Sequence, residues 1–413
     1  MPHLQGPRAI VLDVGHPRAV AVMRSLARAG VEVYGIDHRP TATGFYSKYL
    51  SQRFLLDRDR DYKSELSRVL EVIAADGRGG ILIPTADSAN VFVAQNRVRL
   101  SQSFIVFSAP WSVLELTMDR AACYAVAAEL GIATPENYVP KNREELDHLL
   151  LRLDFERGDY VLKTRVWDVP ADVVRRRYTL VPEQNPVSFR QSWDEIAARS
   201  AVPPTIERIV PGDSDDCVGV SLVLNDDLEP VVAYCIRRLR MYTYKLGGRY
   251  QHPYRMGANV YCESIHDDEA LEAALTLVRR IGYVGAITVE FRRDPETRVL
   301  TLIKFDPRVI RSLSLSANLG MDVPTALYRT FALGEKVEPC NYPDGVRWMW
   351  VSQYIAALRQ HQKMRTLLAE SLRLLANLTQ VRAFGYLSFR DPLPFVKNVV
   401  PRRLLRRWLG LVC

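Results

Sequence analysis

The residues best suited to do chemistry lie in two short segments joined by a polar link. Glu290 falls in Gly285-Ala286-Ile287-Thr288-Val289-Glu290-Phe291, and Lys304, Asp306 and Arg308 fall in Val299-Leu300-Thr301-Leu302-Ile303-Lys304-Phe305-Asp306-Pro307-Arg308. Both segments have strand composition, and Asp294-Pro295-Glu296-Thr297 between them reads as a turn, so a hairpin is expected. Alternation puts Thr288 and Glu290 on one face and Ile287, Val289 and Phe291 on the other. Lys304 and Asp306 share a face opposite Ile303 and Phe305. A turn centred at 296–297 sets Glu290 across from residues 302–304. Glu290, Lys304 and Asp306 then converge, with Arg308 just past the strand end. Two carboxylates beside cations suit a hard metal ion and a phosphate. The same spacing suits a cross-strand salt bridge on a solvated sheet face, and spacing alone leaves both open.

The elements that position this hairpin follow from the hydrophobic pattern. Residues 9–14, 31–37 and 80–84 read as strands and 17–29 and 64–75 as helices, an alternation that implies a parallel sheet with crossover connections. A dinucleotide site with Asp37 as its ribose acid is disfavoured. The first strand–helix turn, Gly15-His16-Pro17-Arg18-Ala19, has one glycine where that fingerprint needs three, and Pro17 removes an amide donor. Residues 117–130 read as one amphipathic helix stopped by Gly131 and Pro135. From about 136 short strands dominate, at 160–163, 205–210, 217–224 and 231–237, followed by a helix over 267–281, an α+β pattern. The last 70 residues read as helical and Arg-rich.

Composition narrows the class. The chain has 413 residues, 48% hydrophobic and 25% charged, an ordinary globular balance that excludes disordered and fibrous classes. Its formal charge of +8 is unevenly spread: residues 1–340 carry 43 Lys+Arg against 44 Asp+Glu, and 341–413 carry 12 against 3. The neutral body argues against a nucleic-acid groove across the fold. Six scattered cysteines with no CxxC read as reduced thiols, and with neither a signal peptide nor a spanning segment the expected location is cytoplasmic.

Several landmarks taken in order resemble the ATP-grasp superfamily, in particular bacterial carboxylate–amine ligases like D-aspartate ligase. They are Val33-Tyr34-Gly35-Ile36-Asp37, Ile83-Pro84-Thr85-Ala86-Asp87, Met118-Asp119-Arg120, and Gly131-Ile132-Ala133-Thr134-Pro135. Tyr160-Val161-Leu162-Lys163 and the hinge-like Ile206-Glu207-Arg208-Ile209-Val210-Pro211-Gly212 follow, then the hairpin, and late Asp391-Pro392-Leu393-Pro394-Phe395. The resemblance covers nearly the whole chain. It implies a Rossmann-like parallel-sheet domain over 1–115, a two-lobed ATP-grasp domain over 116–340 and a basic helical extension over 341–413. It further implies ATP and Mg²⁺, small-molecule carboxylate and amine substrates, and amide formation through an acyl phosphate. A homodimer is a further expectation.

Site roles follow from the resemblance alone. Lys163 and Arg120 would meet phosphate, with Arg120 standing where the family carries a second lysine; arginine keeps the charge and binds phosphate bidentately. Glu207 and the backbone of Arg208 and Ile209 would meet adenine, and Asp215 or Asp213 the ribose. Arg237-Arg238-Leu239-Arg240 and Lys245-Leu246-Gly247-Gly248-Arg249 would form a loop closing over the phosphates. Glu290 and Asp306 would hold metal, Arg308 and Lys304 would act in catalysis, and Thr85 and Asp87 would recognise substrate.

One departure matters most. Lys304 stands where the family has a glutamate bridging two Mg²⁺ ions, and Asp306 where it has asparagine. A lysine ammonium about 4 Å from a dication, at an effective dielectric of 20, meets a repulsion of about 8 kcal/mol. The two-metal arrangement therefore cannot persist unchanged. Either one ion remains while the ammonium replaces the other, or turnover is lost and an ATP-binding pseudoenzyme or adaptor is left. At the C-terminus, Pro401-Arg402-Arg403-Leu404-Leu405-Arg406-Arg407-Trp408-Leu409 would form a basic amphipathic helix, suited to peripheral membrane contact or to docking on the body.

Overall fold

The computed structural model describes residues 4–156, 160–163, 178–180, 184–198, 202–242, 257–360 and 376–399. The basic helix expected at 401–409 and the loop residues 245–249 lie outside them.

The N-terminal alternation builds a four-stranded parallel sheet in the order β3-β2-β1-β4. Its strands are β1 (Ala9–Leu12), β2 (Val33–Asp37), β3 (Gln52–Leu55) and β4 (Ile81–Pro84). The central strands β2 and β1 and the edge strand β4 are buried along their whole length, which explains their near-continuous apolar sequences. Between them run α1 (Pro17–Arg28) and α2 (Tyr62–Ala74), and α3 (Asp87–Gln95) follows β4. Proline at N1 starts α1, and the Asp61 carboxylate caps α2 by accepting from the Ser64 N–H at 2.9 Å.

After α4 (Arg97–Leu100), the expected single helix over 117–130 is two helices, α5 (Trp111–Met118) and α6 (Arg120–Glu129). Asp119 between them is extended, and its carboxylate accepts from the Ala121 N–H at 3.0 Å. A capping aspartate outcompetes continuation of the helix here, and the break puts Arg120 in the first turn of α6.

A second four-stranded sheet, ordered β5-β8-β6-β7, carries β5 (Asn137–Tyr138), β6 (Tyr160–Lys163), β7 (Tyr178–Leu180) and β8 (Thr205–Arg208). It packs on α7 (Arg143–Leu150) and α8 (Pro186–Ala197) around Leu146, Phe189 and Trp193.

The third sheet has seven strands, in the order β13-β12-β9-β10-β11-β14-β15. They are β9 (Cys217–Leu224), β10 (Pro230–Tyr242), β11 (Ala258–Ile265), β12 (Gly285–Arg293), β13 (Leu300–Asp306), β14 (Arg347–Met349) and β15 (Val381–Phe384). α9 (Asp268–Arg280) covers one face with Ala270, Ala274, Leu277 and Val278; the other face shares its core with α1 and α10 (Val323–Leu333). The C-terminal region contains the expected helices, α11 (Val351–Gln360) and α12 (Leu393–Val399), and also two strands that extend the large sheet. Arg237–Arg240 lie within β10, where the expectation placed a closing loop; β-bulges at 238–241 mark that stretch.

The hairpin forms with the anticipated register. Glu290 pairs with Lys304 and Thr288 with Asp306. The turn is held by the Asp294 carboxylate, which accepts from the Glu296 and Thr297 N–H groups at 2.9 Å each, while Arg298 takes a positive φ of 60°. Among the described residues Cys123, Cys217, Cys235, Cys262 and Cys340 are unbridged, and no helix is long and apolar enough to cross a membrane.

Candidate functional site

Two charged clusters face each other, one on the small sheet and one on the hairpin. On the small sheet, Lys163 ends β6 and Glu207 lies on the neighbouring β8. They form a salt bridge with side chains 7% and 3% exposed, so the pair is almost wholly desolvated. Burial pulls the Lys163 ammonium down to about 8, with Glu207 opposing the shift. The Tyr124 hydroxyl, on α6, stands 3.0 Å from Glu207 Oε2 and 2.8 Å from the Ile303 carbonyl oxygen. Arg120 Nη1, one turn earlier, donates to the same carbonyl at 3.0 Å. One side chain, Tyr124, therefore spans from the small-sheet pair to β13.

On the hairpin, Lys304 Nζ lies 2.8 Å from Asp306 Oδ2 and 3.4 Å from Glu290 Oε2. Arg308 Nη2 lies 3.4 Å from Asp306 Oδ1, and its Nε donates to Asp87 Oδ1 at 2.6 Å. Arg238, from β10, pairs with Glu290 Oε1. Burial works against the Arg308 charge, but Asp306 and Asp87 more than offset it and raise its pKa. Every oxygen of Glu290 and Asp306 thus has a cation beside it. Among the described residues no group of three or more acidic, histidine or cysteine side chains is placed to hold a metal. Two carboxylates are too few to bridge two hard ions, and a single ion would have to displace cations now beside them.

Other expected residues are dispersed. Thr85 is fully buried, with its hydroxyl 2.9 and 2.8 Å from the carbonyl oxygens of Leu12 and Asp13, a staple between β1 and β4. Asp215 is exposed in the turn after Gly212, while the Asp213 and Asp216 carboxylates accept turn amides at 2.7 and 2.8 Å. Arg208 reaches Glu136 at 2.9 Å, and Ile209 is buried. Asp37 is fully buried and bidentate to Arg39, at 3.0 Å to both oxygens. Sequence reasoning missed Tyr124 and the pairing of Arg238. Tyr124 was legible in principle, since four positions along a helix from Arg120 puts it on the same face.

Comparison with solved structures gives the arrangement a context. The biotin carboxylase domain of 2-oxoglutarate carboxylase from Hydrogenobacter thermophilus, a dimer in complex with MgADP, ADP and bicarbonate, superposes with a TM-score of 0.62. That match covers 83% of this chain and 74% of the other at 14% identity. N5-carboxyaminoimidazole synthetase from Staphylococcus aureus, complexed with ADP, matches with a TM-score of 0.60 over 83% and 82% of the two chains at 13% identity. The chain has the ATP-grasp fold. L-amino acid ligase from Bacillus licheniformis shares it, with a TM-score of 0.56 over 79% and 75% of the chains at 10% identity. Neither a family model nor a curated protein matches the sequence. Within this fold the small and large sheets supply the two facing clusters, and the helix that follows the N-terminal sheet presents Asp87 to Arg308.

Proposed function

We propose that the protein is an ATP-dependent ligase that activates a carboxylate and joins it to an amine. The observation that carries this reading is the meeting of Lys163–Glu207 with Glu290–Lys304–Asp306–Arg308 across Tyr124, in a fold that other proteins use with ADP bound. In the reaction a carboxylate oxygen attacks the γ-phosphorus of ATP, the bond to the β–γ bridging oxygen breaks, and ADP leaves. An amine then adds to the acyl carbon, phosphate departs, and the nitrogen loses a proton. Lys163 and Arg120 hold phosphate charge from one side, and Lys304 and Arg308 neutralise the transferring group from the other. Glu207 and the adjoining backbone of Arg208 and Ile209 meet the adenine, Asp215 is free to reach the ribose, and Asp87 orients Arg308. Glu290 and Asp306 are the residues that would hold one Mg²⁺, which when bound neutralises phosphate charge. The protein incubated with Mg·ATP, a carboxylic-acid library and hydroxylamine should release ADP and form a hydroxamate from the activated acid. Neither product with any acid, in a protein that binds ATP, removes the ligase reading.

A second reading has its own observation. Lys304 lies against both carboxylates of the hairpin, an arrangement that also suits nucleotide binding without turnover. Lys304→Glu separates the two. Loss of activity supports a working single-ion site, and a gain in activity supports a site that had decayed.

A further inference from the structure

Arg308 has a second cationic neighbourhood, on the N-terminal domain, that the reaction above does not use. Arg18, in the first turn of α1, is 4% exposed. Its Nη1 donates to the Val309 carbonyl oxygen at 3.3 Å, and its buried Nε has no acceptor among the described residues. Arg311 stands close by, its guanidinium carbon 5.7 Å from the Trp350 ring centre. Among the described residues neither arginine forms a salt bridge, whereas Arg308 is already tied to Asp87 and Asp306. Burial, with Arg308 and Arg311 adding repulsion, holds the Arg18 pKa well below its ordinary range. Burial, with Arg18 and Arg39 and then Arg311 and Arg308 adding repulsion, holds the His16 imidazole pKa well below its ordinary range.

Further buried polar atoms with no strong partner follow in the chain and beside it. Ser312 Oγ, next to Arg311, and the amide of Asn259 on β11 meet only the weakly bonding Cys262 thiol among the described residues. Thr288 Oγ1, opposite Asp306 on the hairpin, is likewise unsatisfied. Buried donors are paired almost everywhere in folded proteins, so a concentration of unpaired ones beside surplus positive charge indicates a ligand. The positive end of α1 adds to that charge.

We infer that Arg18 and Arg311 form an oxyanion subsite, so that the acid activated at Arg308 carries a second anionic group, a carboxylate or a phosphate monoester, seated on these arginines. Ser312 and Asn259 supply neutral hydrogen bonds around it. The inference rests on the ligase reading for the reacting group alone; the subsite is testable without ATP.

The experiment is calorimetric titration of the full chain with straight-chain dicarboxylates, monocarboxylates of equal length, phosphoryloxy monoacids and inorganic phosphate. A doubly anionic acid should bind at least tenfold more tightly than its monoanionic counterpart. The preferred arm, diacid or phosphoryloxy acid, identifies the second group. Arg311→Gln and Arg18→Met should each abolish the preference and leave the ATP-induced rise in melting temperature unchanged. If Arg18→Met does not fold, the half-buried Arg311 carries the test. Equal affinity for mono- and dianions, or a preference that survives Arg311→Gln, overturns the subsite. Preference for a dianion without any ATP-induced shift keeps the subsite and removes the ligase reading.

Discussion

At Lys163, burial and the partner carboxylate pull the proton affinity in opposite directions, and burial wins. A neutral amine binds phosphate poorly, so the affinity for ATP should fall several-fold between pH 7 and pH 9, through the value of about 8. Lys163→Met should bind ATP weakly at every pH and show no such slope. Calorimetry across the range checks both, and a flat wild-type profile rejects the argument. Stability should run the other way. The unfolded lysine titrates near its ordinary value of 10.5, so between about 8 and 10.5 the unfolded chain holds the proton more tightly. The penalty of burying the charged ammonium is full below that window and is relieved as pH rises through it. Opposite pH trends for ATP affinity and for folding stability are therefore a joint signature of this one group.

The convergence at the hairpin was legible in outline because alternation groups Thr288 with Glu290 and Lys304 with Asp306, but the pairing of Glu290 with Lys304 depends on a β-bulge between Glu290 and Phe291, without which the register from Arg293 and Leu300 would set Glu290 opposite Ile303. The unpaired atoms of Arg18, Asn259 and Ser312 were not legible. Their significance lies in what fails to approach them, and no sequence pattern encodes a missing partner.

Among the elements, the break between α5 and α6 has the clearest functional consequence. Periodicity ran through it because Leu114 and Thr117 before the break and Cys123, Tyr124 and Ala127 after it are all buried. Only the capping geometry of Asp119 distinguishes two helices from one. Asp119→Ala should destabilise the protein by about 1 kcal/mol, the usual worth of such a cap. It should also weaken ATP binding, because the first turn of α6 sets Arg120 and Tyr124 against β13. Asp119→Asn, which keeps an acceptor, should restore most of both. Urea denaturation and an ATP titration on the same samples check this; an Asp119→Ala protein unchanged in either measurement rejects it. The short strands β14 and β15 escaped sequence reading for a related reason. At three and four residues they are too brief for alternation to stand out from the helical periodicity around them.

For the whole molecule, the late segment Asp391-Pro392 closes back on the elements around the N-terminal sheet. Asp391 is 1% exposed, and its Oδ2 accepts from Arg24 Nε at 2.9 Å and from the Ser47 hydroxyl at 2.8 Å. Its Oδ1 accepts from the Lys48 N–H at 3.0 Å, and its own carbonyl oxygen accepts from Arg24 Nη2 at 2.8 Å. The partners are 367 residues apart in sequence, which is why the motif could be noticed and its contact could not be foreseen. The late segment is thereby fastened to α1, the helix whose first turn supplies Arg18. Removing one member of a buried, multiply bonded ion pair leaves the other charge stranded, a loss of about 3–5 kcal/mol. Asp391→Ala should therefore lower the denaturation midpoint by far more than an exposed-pair variant such as Lys336→Ala, whose partner Glu338 is at the surface. Arg24→Met combined with Asp391→Leu should cost less than the sum of the two single changes, since no charge is left unpaired. Additive losses in that cycle would show that the two residues act separately, and that the C-terminal segment is held by its apolar contacts instead.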